Sequence, residues 1–130
     1  MEKRIAFACF NLALAVALGA LGAHFLKQEL SAASLASFET GVRYHFFHGL
    51  ALLVILCLPI SFARLKGARG VMAMGMLLFS LSIYLLSTRS LFGMEGQLKW
   101  LGPITPLGGL LLIGSWLWLG INSLRPQRGS

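Results

Sequence analysis

No Asp, Glu, Lys or Arg occurs in four long apolar runs of this chain, roughly residues 5–23, 46–63, 71–88 and 101–122. A helix of about 20 apolar residues, rising about 1.5 Å per residue, crosses the roughly 30 Å hydrocarbon layer of a bilayer. The four runs meet that length or nearly so. Helices of a soluble bundle would each carry a polar stripe, yet Asn11 alone interrupts the apolar surface of the first run. Apolar residues are 57% of the chain and charged residues 12%, the reverse of what a small soluble domain needs to cover itself. The expected fold is all-α: an integral membrane bundle of four transmembrane helices, with residues 1–130 forming a single membrane domain. Each span must close its backbone hydrogen bonds internally, because lipid offers no partners.

A net charge of +7 raises the question of nucleic acid. The basic residues stand singly or in small groups at the ends of the runs and form no face interleaved with exposed aromatics, so no nucleic-acid partner is expected. Anionic lipid headgroups are the natural counter-charge. Lys3, Arg4, Arg64, Lys66, Arg69, Arg125 and Arg128 share one side if all four runs span, against Lys27, Arg43, Arg89 and Lys99 on the other. That asymmetry places both termini in the cytoplasm. The first run also resembles a signal peptide, but it exceeds the usual core of about 7–15 residues, so it is expected to be retained. Cys9 and Cys57 fall inside apolar runs and read as buried packing thiols.

Ser31 followed by Leu35, Phe38 and Val42 predicts an N-capped, short interfacial helix between spans one and two. Ala15, Gly19 and Ala23, four residues apart, predict close helix contact. In the third run the methionines read as adaptable packing, while Ser80 and Ser82 are expected to bond carbonyls of their own helix. Pro103 and Pro106 mark the start of the fourth helix. Trp100 at one end and Trp116 and Trp118 toward the other fit the interfacial belts. No repeat relates the two halves of the chain.

Polar groups gather where spans one and two meet the same membrane face: His24, then Arg43, Tyr44, His45 and His48. Tyr84, Arg89 and Thr105 approach from spans three and four. Histidines three residues apart share a helix face, and imidazoles facing one another could ligate haem or a transition metal or relay protons. The plainer reading is a hydrogen-bonded clasp between spans. No carboxylate lies in any run, and no phosphate-binding loop, zinc pattern or Ser-His-Asp signature occurs. No catalytic residue, cofactor or metal is therefore expected. His24, Tyr44 and His48 are the candidate cofactor-binding residues under the alternative reading, a small transporter or a haem- or metal-binding redox protein.

The segments ALGALGAH (residues 17–24), TGVRYHFFHGLALL (40–53) and TPLGG (105–109) resemble a family of small four-helix membrane proteins, Domain of Unknown Function 423, also Uncharacterised Protein Family 0382. The resemblance extends over nearly the whole chain. The matching positions are Gly19, Gly22, Ala23 and His24; Gly41, Tyr44 and His48; and Thr105, Pro106, Gly108 and Gly109. His45 departs from the pattern, which implies a glutamine there. The resemblance implies a multi-pass protein of the bacterial inner membrane whose biochemical role is unassigned. The expectation is a non-enzymatic structural or accessory component that contacts the lipid bilayer and a second copy of itself or another membrane protein.

Overall fold

Pro59 decides where the second helix stops. Its ring would clash with the carbonyl four residues earlier, that of Ile55, and it has no N–H to donate. In the computed structural model, which describes residues 1–125 and only the backbone of residues 62–64, the helix ends at Ile55. Leu56, Cys57 and Leu58 then donate to carbonyls three residues back and turn the chain.

Helix α1 runs over Glu2–Leu21, widens into a π-helical turn at Gly22–Leu26 and closes with one α-helical turn, Lys27–Glu29. Helix α2 is Ala32–Ile55, α3 is Phe62–Thr88 and α4 is Ile104–Leu124, with 3-10 turns at Arg89–Phe92 and Lys99–Leu101 between the last two. No strand occurs among the described residues. Ser31 caps α2 by accepting from the Ser34 N–H at 3.2 Å. Gly93 closes the first 3-10 turn at φ 63°, a conformation glycine adopts without Cβ strain. Pro103 sits at the start of α4, where a missing N–H costs nothing.

Three helical stretches are long and apolar enough to cross a membrane: Glu2–Glu29, Leu65–Phe92 and Lys99–Leu124. Helix α2 carries Glu39 and Arg43, and its uncharged part, residues 44–55, is about 18 Å long at 1.5 Å per residue. The expected boundary of the second run at residue 63 is thus corrected to Ile55, and α3 begins nine residues before the expected 71. A separate interfacial helix does not form. The segment from Ala32 continues unbroken into α2, because nothing between Ser31 and Pro59 interrupts its hydrogen bonding.

Consecutive helices pack antiparallel. On α1, Ala8, Asn11, Ala15, Gly22 and Leu26 form the buried stripe. Leu12 lies against Gly49, Val42 against Gly19 and Phe38 against Gly22, which sets the register of α1 on α2. Ala23 of the expected small-residue series is exposed. Helices α3 and α4 approach most closely through two glycines. A Cβ added to Gly75 would sit 2.9 Å from the Leu112 nitrogen, and one on Gly108 would overlap the Phe79 backbone, 2.8 Å from its Cα. Gly109 has ordinary room, 3.6 Å from the Phe79 ring.

One apolar cluster unites all four helices through Ala8, Leu52, Ile55, Met72, Met76 and Leu112; a second joins Leu26, Leu30, Phe38 and Tyr84. Met72 and Met76 are wholly buried, in agreement with the packing role. Cys9 and Cys57 are free and exposed rather than buried, lying on the outer surface, where a weakly polar thiol is tolerated beside lipid. Phe10, Phe47, Leu110, Ile113 and Leu117 also point outward.

The α3–α4 contact makes a testable distinction. Gly108→Ala should lower stability by about 1–3 kcal/mol through overpacking, read as a fall in detergent melting temperature. Gly109→Ala should be close to neutral. Equal effects would show that the two helices do not meet through Gly108.

Candidate functional site

Two histidines on one face of α2 are buried, and each spends both ring nitrogens on hydrogen bonds. The Nε2 of His45 lies 3.2 Å from Oδ1 of Asn11 on α1, and its Nδ1 lies 3.0 Å from the Tyr84 hydroxyl on α3. Asn11 Nδ2 donates to the Phe7 carbonyl at 2.8 Å, which assigns the amide oxygen to His45. That oxygen only accepts, so His45 Nε2 must be the donor, and in the neutral ring the bare Nδ1 accepts from Tyr84. The result is a one-way chain from the Tyr84 hydroxyl through His45 and Asn11 to the Phe7 carbonyl. Three helices are tied by it, and His45 is only 1% exposed.

His48 is fixed in the opposite tautomer. Its Nδ1 lies 2.8 Å from the Tyr44 carbonyl, which only accepts, while the Trp116 indole N–H donates to its Nε2 at 3.1 Å. The ring is therefore neutral with its proton on Nδ1, and it links α2 to α4. Tyr44 stacks on it with ring centroids 5.8 Å apart and also packs on Phe79 of α3 at 4.6 Å. Further ties follow the same logic. Ser80 donates to the Gly41 carbonyl of α2 at 3.0 Å, across helices and not within its own as expected. Ser82 donates to its own Phe79 carbonyl, so Thr105 of α4 must donate to Ser82, 2.7 Å away. No buried side-chain polar atom among the described residues lacks a partner.

His24 stands apart. It is exposed on the π-helical turn. The register of Leu12 on Gly49 and Val42 on Gly19 puts it level with residues 36–37. His48 lies eleven or twelve residues further, roughly 17 Å along the axis at 1.5 Å per residue. Of the candidate cofactor-binding residues, His24 and His48 are therefore not brought together, while Tyr44 and His48 are. The second span was expected to begin at residue 46 after a separate short helix, whereas one helix starts at Ala32, so the antiparallel register moves by several turns. His48 offers no free nitrogen to haem or metal unless it gives up Trp116 or the Tyr44 carbonyl. Among the described residues no three His, Cys, Asp or Glu side chains converge.

Asn11 was legible as an interhelical hydrogen-bonding residue, being the lone polar group of its run. The part of Trp116 was not. Its place read as an interfacial anchor, yet its indole N–H turns inward to His48, while the Trp118 ring covers Gly67. Nothing in the spacing marks which of two tryptophans faces the bundle.

Interhelical polar contacts in membranes average about 0.6 kcal/mol and reach about 1.7. In a double-mutant cycle, His45→Leu and Tyr84→Phe should show coupling of that order, read from unfolding in detergent. His45→Gln should retain most stability, since a glutamine amide supplies one acceptor and one donor. His24→Ala and His48→Ala should be additive; strong coupling between them would place the two rings in contact and overturn the register.

Comparison with known proteins places this arrangement in a lineage. The family model described as Protein of unknown function (DUF423) matches residues 18–109. The chain is 36% identical over 128 residues to the UPF0382 membrane protein YwdK of Bacillus subtilis, covering 96% of this chain and 98% of the relative. It is 36% identical over 126 residues to a UPF0382 membrane protein of Staphylococcus epidermidis, covering 96% and 98%. With the UPF0382 inner membrane protein YgdD of Escherichia coli the identity is 31% over 127 residues, covering 94% and 89%. No solved structure matches. A family match over most of the chain, and relatives aligned nearly end to end, make this protein a member of the DUF423 (UPF0382) family of membrane proteins.

Proposed function

We propose that this chain is a non-enzymatic structural or accessory component of the bacterial inner membrane, whose polar side chains fasten its helices together. The observation that carries this reading is the consumption of every ring nitrogen of His45 and His48 by bonds to other helices or to the backbone. Locked in this way, His45 and His48 hold the bundle, and neither keeps a ring nitrogen free to act as acid, base or ligand. The names of the Bacillus and Escherichia relatives, membrane protein and inner membrane protein, support the location.

All four helices cross the bilayer on this reading. Lys3, Arg4 and Arg69 line one small cavity, so α1 and α3 begin at the same end of the bundle. If both cross, α2 must return between them, its shortened apolar helix completed by residues 56–60. Arg43 and Glu39, exposed one turn apart, reach toward the interface at the other end. Lys66 and Arg125 add to the basic end, which the positive-inside rule assigns to the cytoplasm together with both termini. Arg128 and the side chain of Arg64, part of the same expectation, lie outside the described residues.

Purification in mild detergent tests the role. The accessory reading expects either a stoichiometric membrane-protein companion or a second copy captured by cross-linking, and a protein without visible absorption. A stoichiometric haem spectrum, or solute flux in vesicles abolished by His48→Gln, would sink it. Topology has its own check: alkaline phosphatase fused after Leu124 should be inactive, and fused at Gly96 active. Activity at both points would mean that α4 does not cross.

A further inference from the structure

At the end of the bundle away from the chain termini, α2 and α4 diverge across α3 and leave a cavity of about 740 Å³. We infer that this cavity is a binding site for a phosphate-bearing anion, held by Arg89, Lys99 and the hydroxyls of Ser34 and Ser37, with an anionic phospholipid headgroup as its occupant. The volume is that of small-molecule pockets generally, about 300–1,000 Å³. No carboxylate is among the residues lining it; Glu95 lines an adjoining depression that shares Arg89.

The inference rests on which donors remain unspent. Thr40 donates to the Ala36 carbonyl and Ser87 to carbonyls of its own helix, while Thr105 is committed to Ser82. Ser31 donates to the Ser34 oxygen and leaves the Ser34 hydrogen available. Ser37, Arg89 and Lys99 make no side-chain hydrogen bond or ion pair with any described residue. Two cations and two free hydroxyls around one cavity make a donor set suited to the several acceptor oxygens of a phosphate, and charge-assisted bonds are the strong ones. The α2 N-terminus at the same rim adds a weaker pull of the same sign.

The rest of the lining chooses between sources. Below the cationic rim the walls are Ile83 and Leu86, with Pro106 opposite. A polar mouth over an apolar floor suits a headgroup with acyl chains attached better than a free ion, which gains nothing from the floor. Arg89 is half-buried, so its charge is only partly screened by water.

Native mass spectrometry of the full chain in detergent tests the site, using phosphatidylglycerol, phosphatidylcholine and inorganic phosphate as probes. One phosphatidylglycerol should be retained by the unaltered protein and by Lys66→Gln, whose charge lies at the opposite end. Its affinity should fall about tenfold or more in Arg89→Gln/Lys99→Gln, the size expected for losing charged hydrogen bonds. Neither side chain is bonded to any described residue, so the melting temperature without lipid should be unchanged, and Arg89→Lys should retain part of the binding. Retention of inorganic phosphate by the unaltered protein, lost in the double variant, would keep the anion site but assign it to a free ion. Equal retention of phosphatidylglycerol by the unaltered and double-variant proteins, or no preference over phosphatidylcholine, would overturn the inference.

Discussion

A polar side chain placed between helices in hydrocarbon has no water to fall back on, and the cost of leaving it unpaired is several kcal/mol against a net gain near one when it is paired. This asymmetry organises the bundle. His45 is usable at a buried position only because Asn11 accepts from one nitrogen and Tyr84 donates to the other. Those three residues lie on three different helices, so satisfying one imidazole fixes the rotation and height of α1, α2 and α3 together. His48 does the same for α4 through Trp116. The tautomers are forced and opposite, one histidine donating from Nε2 and the other from Nδ1. Their value lies in specificity more than in energy, because the alternative registers strand a donor or an acceptor.

Shape complements this polar frame where polarity is absent. Helices α3 and α4 meet through Gly75 and Gly108, close enough that a methyl group at either position would touch backbone. In a bilayer the lipid tails are as apolar as the side chains, so close backbone approach and the dispersion contacts it allows replace the hydrophobic drive of a soluble core. The wholly buried Met72 and Met76 fill the irregular space beside that contact. Where α2 and α4 diverge, no such packing is available, and hydroxyls and cations line the gap instead. Close packing along α3 and α4 thus gives way to an open, polar-lined gap at the end away from the chain termini.

Family membership is consistent with this division. Gly22, Gly41, Tyr44, His48 and Gly108, the positions of the family resemblance, are largely those at helix contacts. His24, like its neighbour Ala23, lies outside these contacts: it is exposed on the π-helical turn, and its side chain is bonded to no described residue. Packing does not account for it. His45, where the resemblance implies glutamine, sits in a slot that asks for one donor and one acceptor, and both side chains provide that pair.

The all-helical character of the chain, its apolar exterior and the capping of α2 by Ser31 were determined by the sequence alone, because each depends on local composition or on residues within one turn of each other. So was the interhelical bond of Asn11, since one amide in an uncharged run has few uses. Tertiary structure decided the rest. Hydropathy ran on past Pro59, but the helix could not, and the shift of the α2 limits reset its register on α1 and separated His24 from His48. Which serine crosses to a neighbour, which tryptophan turns inward and whether the cysteines face lipid depend on helix rotation. Helix rotation is set by contacts between residues 30 to 70 positions apart, such as Asn11 with His45 or His48 with Trp116, and no local pattern encodes it.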